Sequence, residues 1–148
     1  MVEIEVAYQG QLRCTATHGP SGMTVMTDAP VDNKGRGEAF SPTDLVATAL
    51  GTCMLTLMGI RAEERACRLD GAAIVVKKHM SVSGPRRIAR LEVSVTVPAG
   101  HELSDADRHV LERAAHTCPV RLSILDAIEV PVSFDWSGIE GRDPAVRD

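Results

Sequence analysis

Two cysteines that lie far apart in the chain are the residues best suited to chemistry. Cys53 stands in the middle of a long apolar stretch, and Cys118 directly precedes Pro119. Two thiols that meet in a folded protein can interconvert with a disulfide, and this bond would close a loop of 64 intervening residues. The chain-entropy model associates a closure of that length with about 4 kcal/mol. Free cysteine is also among the most buried residue types, so a purely structural role for both is the alternative.

The two cysteines have different local settings. Cys118 before Pro119 can be the N-cap of a helix, where unpaired backbone N–H groups and the positive dipole end favour a thiolate. The competing interpretation is a core cysteine on the apolar face of the preceding helix. Burial among apolar residues would raise the pKa of Cys53 and make it inert. The remaining cysteines, Cys14 and Cys67, look structural or incidental, and His116 is more typical of a helix end than of a group that polarises Cys118.

Composition narrows the class of protein. The chain has 148 residues, 44% of them hydrophobic and only 3% aromatic, which predicts one domain with an aliphatic core over 1–136 and a polar tail over 137–148. A formal net charge of -4 gives no electrostatic case for binding nucleic acid or an anionic membrane. The start of the sequence lacks the pattern of a signal peptide, so we expect a cytoplasmic protein with reduced thiols.

No metal or cofactor is expected. The cysteines are widely spaced without a CxxC pair, and a zinc site from Cys53, His116 and Cys118 lacks an obvious fourth ligand. The longest uncharged run, residues 45–60, has 16 residues. As a helix it is roughly 24 Å long, shorter than a bilayer core of about 30 Å, which favours a buried helix.

Hydrophobic periodicity predicts an α+β protein in which antiparallel hairpins and helices are segregated. Ser41, Pro42 and Asp44 form a helix start with a capping box. Pro131 suggests that the last strand is at an edge or carries a bulge. We predict strands over 2–8, 12–17, 23–27, 72–80, 88–97 and 128–136, a mobile loop over 29–38, and helices over 41–65, from 104 onward and from 119 to about 125.

The first predicted helix is apolar on nearly all sides through Ile60. A helix of this kind must be buried on all sides, and a small two-layer domain covers only one of them. We therefore expect a second subunit to cover the other side in an obligate homodimer.

Two segments around the cysteines resemble the OsmC/Ohr family: Phe40-Ser41-Pro42-Thr43-Asp44-Leu45 leading to Ala49-Leu50-Gly51-Thr52-Cys53, and Ala114-Ala115-His116-Thr117-Cys118-Pro119-Val120. The resemblance implies an OsmC-like fold, with antiparallel sheets around a long buried central helix and an intertwined homodimer with active sites at the subunit interface. It implies that Cys53 attacks a hydroperoxide and that Cys118 resolves the sulfenic acid into a disulfide. A dithiol or lipoyl-type reductant would then restore the thiols.

Two positions depart from the Ohr branch of that family. The hairpin turn over residues 18–22 contains no Arg, and Thr43 follows Pro42 where that branch has Glu. Another cation must then support Cys53, and Arg13 and Arg36 are the candidates, with Glu38 or Asp44 as an orienting acid. Capping the helix is the competing role for Asp44. Arg13 and Arg36 are equally compatible with solvated surface positions.

These residues predict a thiol-dependent reductase of organic hydroperoxides or hydrogen peroxide. The alternative is an OsmC-like, stress-associated binding protein with weak or no peroxidase activity. A general thiol–disulfide exchanger is disfavoured because the chain has no CxxC pair.

Overall fold

The structure is a computed structural model that describes residues 1–99, 101 and 103–136. The predicted polar tail over 137–148 lies outside the described residues. The chain divides into two compact units, Met1–Val46 and Ala47–Asp148. The division falls within the first long helix.

The N-terminal unit is a three-stranded antiparallel meander. Its strands are β1 (Ile4–Gly10), β2 (Arg13–His18) and β3 (Thr24–Asp28), paired in the order β1-β2-β3. The first turn places Gln11 and Leu12 at φ 52° and 63°, the left-handed conformations that a two-residue hairpin of type I′ requires. The second turn is closed by a hydrogen bond from the Gly22 N–H to the His18 carbonyl at 2.8 Å. The predicted opening meander is confirmed.

The segment after β3 is more ordered than the sequence indicated. It contains a 3-10 turn at Val31–Asn33, and the Gly37 N–H donates to the Ala29 carbonyl at 3.2 Å. A Cβ on Gly35 would lie 1.6 Å from the Ala29 carbonyl oxygen, so the chain can close here only on glycine. The predicted mobile loop is therefore tied by backbone contacts that residue composition does not reveal.

Helix α1 runs over Pro42–Glu64, within one residue of its predicted end. The Ser41 N–H donates to Asp44 Oδ2 at 2.7 Å, and the Asp44 N–H donates to Ser41 Oγ at 3.2 Å. This reciprocal pair is the predicted capping box. The helix ends where Ala66 takes φ 53° and the Cys67 N–H donates to the Ala62 carbonyl at 2.9 Å.

The C-terminal unit contains a second three-stranded sheet. Strands β4 (Ala73–Met80) and β5 (Ile88–Thr96) are antiparallel, and β6 (Val132–Asp135) pairs with β5 at the edge. The β5–β6 pairing is parallel, which differs from the all-antiparallel expectation. Two helices, α2 (Asp105–His116) and α3 (Pro119–Ser123), lie between these strands in sequence and return the chain to the same end of the sheet.

The last strand is shorter than predicted. Before Val132, residue Glu129 makes only an isolated bridge to Arg90, although the Glu129 and Pro131 carbonyls still accept hydrogen bonds from β5. Pro131 has no N–H to donate, which limits regular pairing at its position. The predicted edge location of this strand is confirmed.

The core of the C-terminal unit lies between α1, α2 and the inner face of β5. Along α1 the buried positions recur at helical spacing, so one face of this helix is buried. A Cβ on Gly51 would lie 3.1 Å from a methyl group of Val76, which brings α1 close to β4. The core residues include Leu50, Met54, Met58, Leu91, Val93, Val95, Leu111, Ala115 and Cys118.

Candidate active site

Cys53 projects from the middle of α1, on the flank of its buried face. Its neighbours Leu50 and Met54 are fully buried, whereas Cys53 itself is half-buried. It packs against the core cluster that contains Cys118. Cys53 therefore contacts the core but is not sealed within it.

Cys118 lies between α2 and α3, directly before the first residue of α3. It is fully buried and forms the N-cap of α3 with φ -66° and ψ 146°, followed by Pro119 at the first helical position. The Arg121 N–H donates to Cys118 Sγ at 3.3 Å. The N-cap position predicted from the Cys-Pro step is confirmed.

The two cysteines meet in this core. Cys53 packs against the core cluster that contains Cys118 and interacts with its thiol, and both thiols are free. The pair therefore joins a residue from α1 to the N-terminus of α3 across 64 intervening residues. Two adjacent thiols in this arrangement can form a disulfide after oxidation of either one.

Burial raises the pKa of the Cys118 thiol, and the adjacent Cys53 raises it further. The backbone N–H groups of Arg121 and Val120 lower it, but by less than burial raises it. The expectation that the N-cap would favour a Cys118 thiolate is therefore wrong, since desolvation outweighs the hydrogen bonds. The raised pKa favours the neutral form of the Cys118 thiol.

His116 makes a ring contact with the last strand. It is exposed in the last turn of α2, and its ring packs edge-on against Phe134 with the centroids 5.9 Å apart. Phe134 in turn stacks on Trp136 at 6.0 Å. His116 thus helps to pack the end of α2 against β6.

Arg13 and Glu38 form an ion pair in the N-terminal unit. Arg13 also lies 3.5 Å from Asp28, whose side chain is completely buried. The pKa of Asp28 is lowered, first by the Glu38 N–H and also by Arg13, although burial opposes this shift. Arg13 is therefore engaged by two carboxylates and is not a free surface residue.

Arg36 and Asp44 belong to the same unit and have separate contacts. The Arg36 guanidinium donates to Gln11 Oε1 at 3.1 Å. Asp44 caps α1 through Ser41, which confirms the capping role. Cys53 and Cys118 belong to the C-terminal unit.

Asp28 is the residue that sequence reasoning missed. Its Oδ1 atom is buried and has no hydrogen-bond partner among the described residues, while its Oδ2 accepts from the Glu38 N–H at 3.0 Å. An acid at the end of a predicted strand, followed by Ala29-Pro30, was the only available signal. Arg13 on β2 lies opposite Asp28 on β3, a pairing that local sequence does not reveal.

Two further features bear on metal binding and on membrane insertion. Within residues 1–99, 101 and 103–136, no group of three or more His, Cys, Asp or Glu side chains is arranged to hold a metal ion. Helix α1 is long and apolar enough to cross a membrane by length and composition. It instead packs one face against β4 and β5 as a core helix.

These features define a class: an α+β protein with a long central helix and a free cysteine pair joining that helix to a Cys-Pro helix start. The sequence profile of OsmC-like proteins matches residues 35–133, and the chain belongs to the OsmC-like family. No curated protein sequence matches the chain.

Solved structures agree with this assignment. A candidate osmotic stress induced and detoxification response protein from Psychrobacter arcticus 273-4 is 42% identical, with 90% of this chain and 96% of that chain covered and a TM-score of 0.83. An OsmC-like protein from Mycoplasma pneumoniae is 13% identical, with 93% and 97% covered and a TM-score of 0.77. An organic hydroperoxide resistance protein OsmC from Legionella pneumophila is 15% identical, with 92% and 97% covered and a TM-score of 0.72. At their low identities the last two show a shared fold alone. The family and the α+β fold predicted from the sequence are confirmed.

Proposed function

We propose that this protein is a thiol-dependent hydroperoxide reductase that acts on organic hydroperoxides or hydrogen peroxide. The observation that carries the proposal is the packing of half-buried Cys53 beside fully buried Cys118, both of them free thiols. Membership of the OsmC-like family supports it. So does the likeness to proteins named for organic hydroperoxide resistance, which reaches a TM-score of 0.72.

The two cysteines have unequal exposure, which suggests the order of the steps. The Cys53 thiolate attacks the distal oxygen of ROOH, the O–O bond breaks, and the alkoxide leaves and takes up a proton as ROH. Cys53 is then a sulfenic acid. The Cys118 sulfur attacks that sulfur, water leaves, and a Cys53–Cys118 disulfide remains.

A dithiol completes the cycle. Exchange with two thiols of a dithiol or lipoyl-type reductant returns both cysteines to thiols and leaves the reductant as its own disulfide. The raised pKa of Cys118 suits the resolving role, because a neutral, buried thiol does not compete for the peroxide. The reducing conditions that this cycle requires are those of the cytoplasm.

Peroxide consumption driven by dithiothreitol tests the function. We expect the wild type to consume cumene hydroperoxide and the Cys53→Ser variant to lose at least 100-fold of the rate, on the order of removing an essential nucleophile. The Cys67→Ser variant is the matched control, since Cys67 is half-buried elsewhere in the same unit and should leave the rate unchanged. Equal rates for the wild type and Cys53→Ser would refute the proposal.

The second candidate function is a stress-associated binding protein with weak or no peroxidase activity. Both cations proposed to support Cys53 have other partners, which favours this alternative. Arg13 is paired with Glu38 and Asp28, and Arg36 donates to Gln11. Intact mass after one equivalent of peroxide separates the two functions. A loss of about 2 Da within one chain supports the reductase, and an unchanged mass supports the binder.

We also propose that the protein works as a homodimer. Apolar side chains on β1 are exposed in the single chain, with Ile4 and Val6 each at 62% and Tyr8 at 67%. On α1, Val46 and Ile60 are also exposed. A second copy would cover such surfaces. Light scattering during size exclusion at micromolar concentration tests this, and a stable monomer would contradict it.

A further inference from the structure

A groove lies between the C-terminal end of α1 and α2, and the cysteine chemistry does not use it. Its volume is about 580 Å³, in the range of small-molecule sites. The lining residues recur at helical spacing along α1 and α2, so two helix faces oppose each other. They are Arg61 and Glu64 on α1 with Arg65 directly after it, and Val110, Arg113 and Ala114 on α2 with Thr117 at its C-cap.

Three guanidinium groups line this groove. Arg61 is paired with Glu64 at 2.6 Å, and Arg65 with Asp107. Arg113 has no ion-pair or side-chain hydrogen-bond partner within the described part of the chain. The groove therefore carries more positive than negative charge, and one guanidinium fork is available to an incoming oxyanion.

The groove also has an apolar side. Ala114 is buried and Val110 is half-buried, and they lie one turn apart on α2 beside Arg113. At one end the ion pair of Arg65 with Asp107 joins the two helices. At the other end stands Thr117, the residue directly before Cys118.

We propose that this groove binds a small organic oxyanion, a carboxylate or phosphate monoester, with its charged head on Arg113 and its short apolar body on Val110 and Ala114. Arg61 stands beside the head and adds charge attraction. The site is separate from the Cys53–Cys118 chemistry and does not depend on it. The bidentate geometry of guanidinium suits both carboxylate and phosphate, and the apolar surface distinguishes such ligands from inorganic anions.

The experiment is a titration of the whole reduced protein with hexanoate, hexyl phosphate, acetate and neutral hexanamide. Amide NMR shifts are followed at constant ionic strength. We expect saturable shifts confined to α2 and the last turns of α1 with hexanoate or hexyl phosphate, and the tighter of the two identifies the head group. Acetate and hexanamide should bind at least about tenfold more weakly, because acetate lacks the apolar chain and hexanamide lacks the charged head.

Two variants with the same charge change complete the test. Arg113→Gln should weaken binding at least about tenfold, since a charge-assisted hydrogen bond is lost. Arg68→Gln removes an exposed guanidinium paired with Asp70 outside the groove and should bind as the wild type does. Equal weakening by both variants, equal binding of all four probes, or no saturable shift at the groove would each overturn the proposal. Because the readout is binding and not turnover, its outcome is independent of whether the peroxide assay succeeds.

Discussion

At the scale of single residues, burial decides the difference between the two site cysteines. Cys118 holds the helix start that should favour a thiolate, yet it is fully buried beside Cys53, and its pKa is raised. Cys53 is half-buried on the long helix. The more accessible sulfur is therefore the better candidate for the first attack, and the buried one for the second.

The variant Cys118→Ser tests this division of roles. Peroxide should leave Cys53 as a sulfenic acid, a gain of about 16 Da that a dimedone probe captures, whereas the wild type should lose about 2 Da as its disulfide forms. The Cys14→Ser variant is the control and should behave like the wild type. A disulfide between Cys53 and another cysteine in Cys118→Ser would assign resolution elsewhere.

Asp28 is the second residue whose state depends on its surroundings. Its pKa is lowered, first by the Glu38 N–H and then by Arg13, so the folded state favours the carboxylate. The resulting stabilisation is fully present above the unfolded pKa of about 3.9 and is lost as the pH falls through the lower folded pKa. An amide at this position cannot supply the negative charge.

We expect Asp28→Asn to lower Tm by several degrees at pH 7, with the difference from the wild type shrinking below about pH 4. Circular dichroism melts across this pH range measure both effects. Asp126→Asn, in an exposed turn, should leave Tm nearly unchanged. A pH-independent difference between Asp28→Asn and the wild type would show that the charge is unimportant.

At the scale of elements, α1 carries two glycines with opposite surroundings. Gly51 faces β4, where an added Cβ would meet methyl groups of Val76 and Ile74 at 3.1 and 3.2 Å. A Cβ on Gly59 would meet no described atom within 4 Å. The first glycine allows close packing of helix on sheet, and the second carries only the conformational cost of glycine in a helix.

Substitutions at these glycines should act in opposite directions. Gly51→Val should destabilise the fold by about 1–3 kcal/mol through overpacking, and Gly59→Ala should stabilise it by about 0.5–1 kcal/mol. Urea unfolding followed by circular dichroism measures both. A stabilising Gly51→Val would mean that β4 moves freely away from α1.

At the scale of the whole molecule, apolar surface left uncovered by one chain is the main feature. Alternate residues of β1 point to opposite faces of its sheet, and Ile4, Val6 and Tyr8 share one of them. Their exposure agrees with the proposed dimer, in which a second copy would cover this face.

Val6→Lys tests the importance of that face for assembly. A buried, unpaired charge is costly, so we expect the dimer dissociation constant to rise at least about tenfold. Ala7→Lys adds the same charge on the opposite face of β1 and should have little effect. Sedimentation velocity over a concentration series measures both, and equal effects would remove this face from the proposed interface.

The local sequence determined much of this protein without tertiary information. The capping box of Ser41 and Asp44, the Cys118-Pro119 helix start and the glycine-containing turn over residues 18–22 involve neighbours in the chain. The bounds of α1 follow from the same local preferences and from hydrophobic periodicity.

Tertiary structure alone decided the rest. It brought Cys53 to Cys118, joined Arg13 to Asp28, and paired β6 in parallel with β5. These contacts link residues far apart in the chain, where local propensity carries no information. The same packing withdraws Cys118 from water, and desolvation then outweighs the helix-start hydrogen bonds that its sequence position predicts.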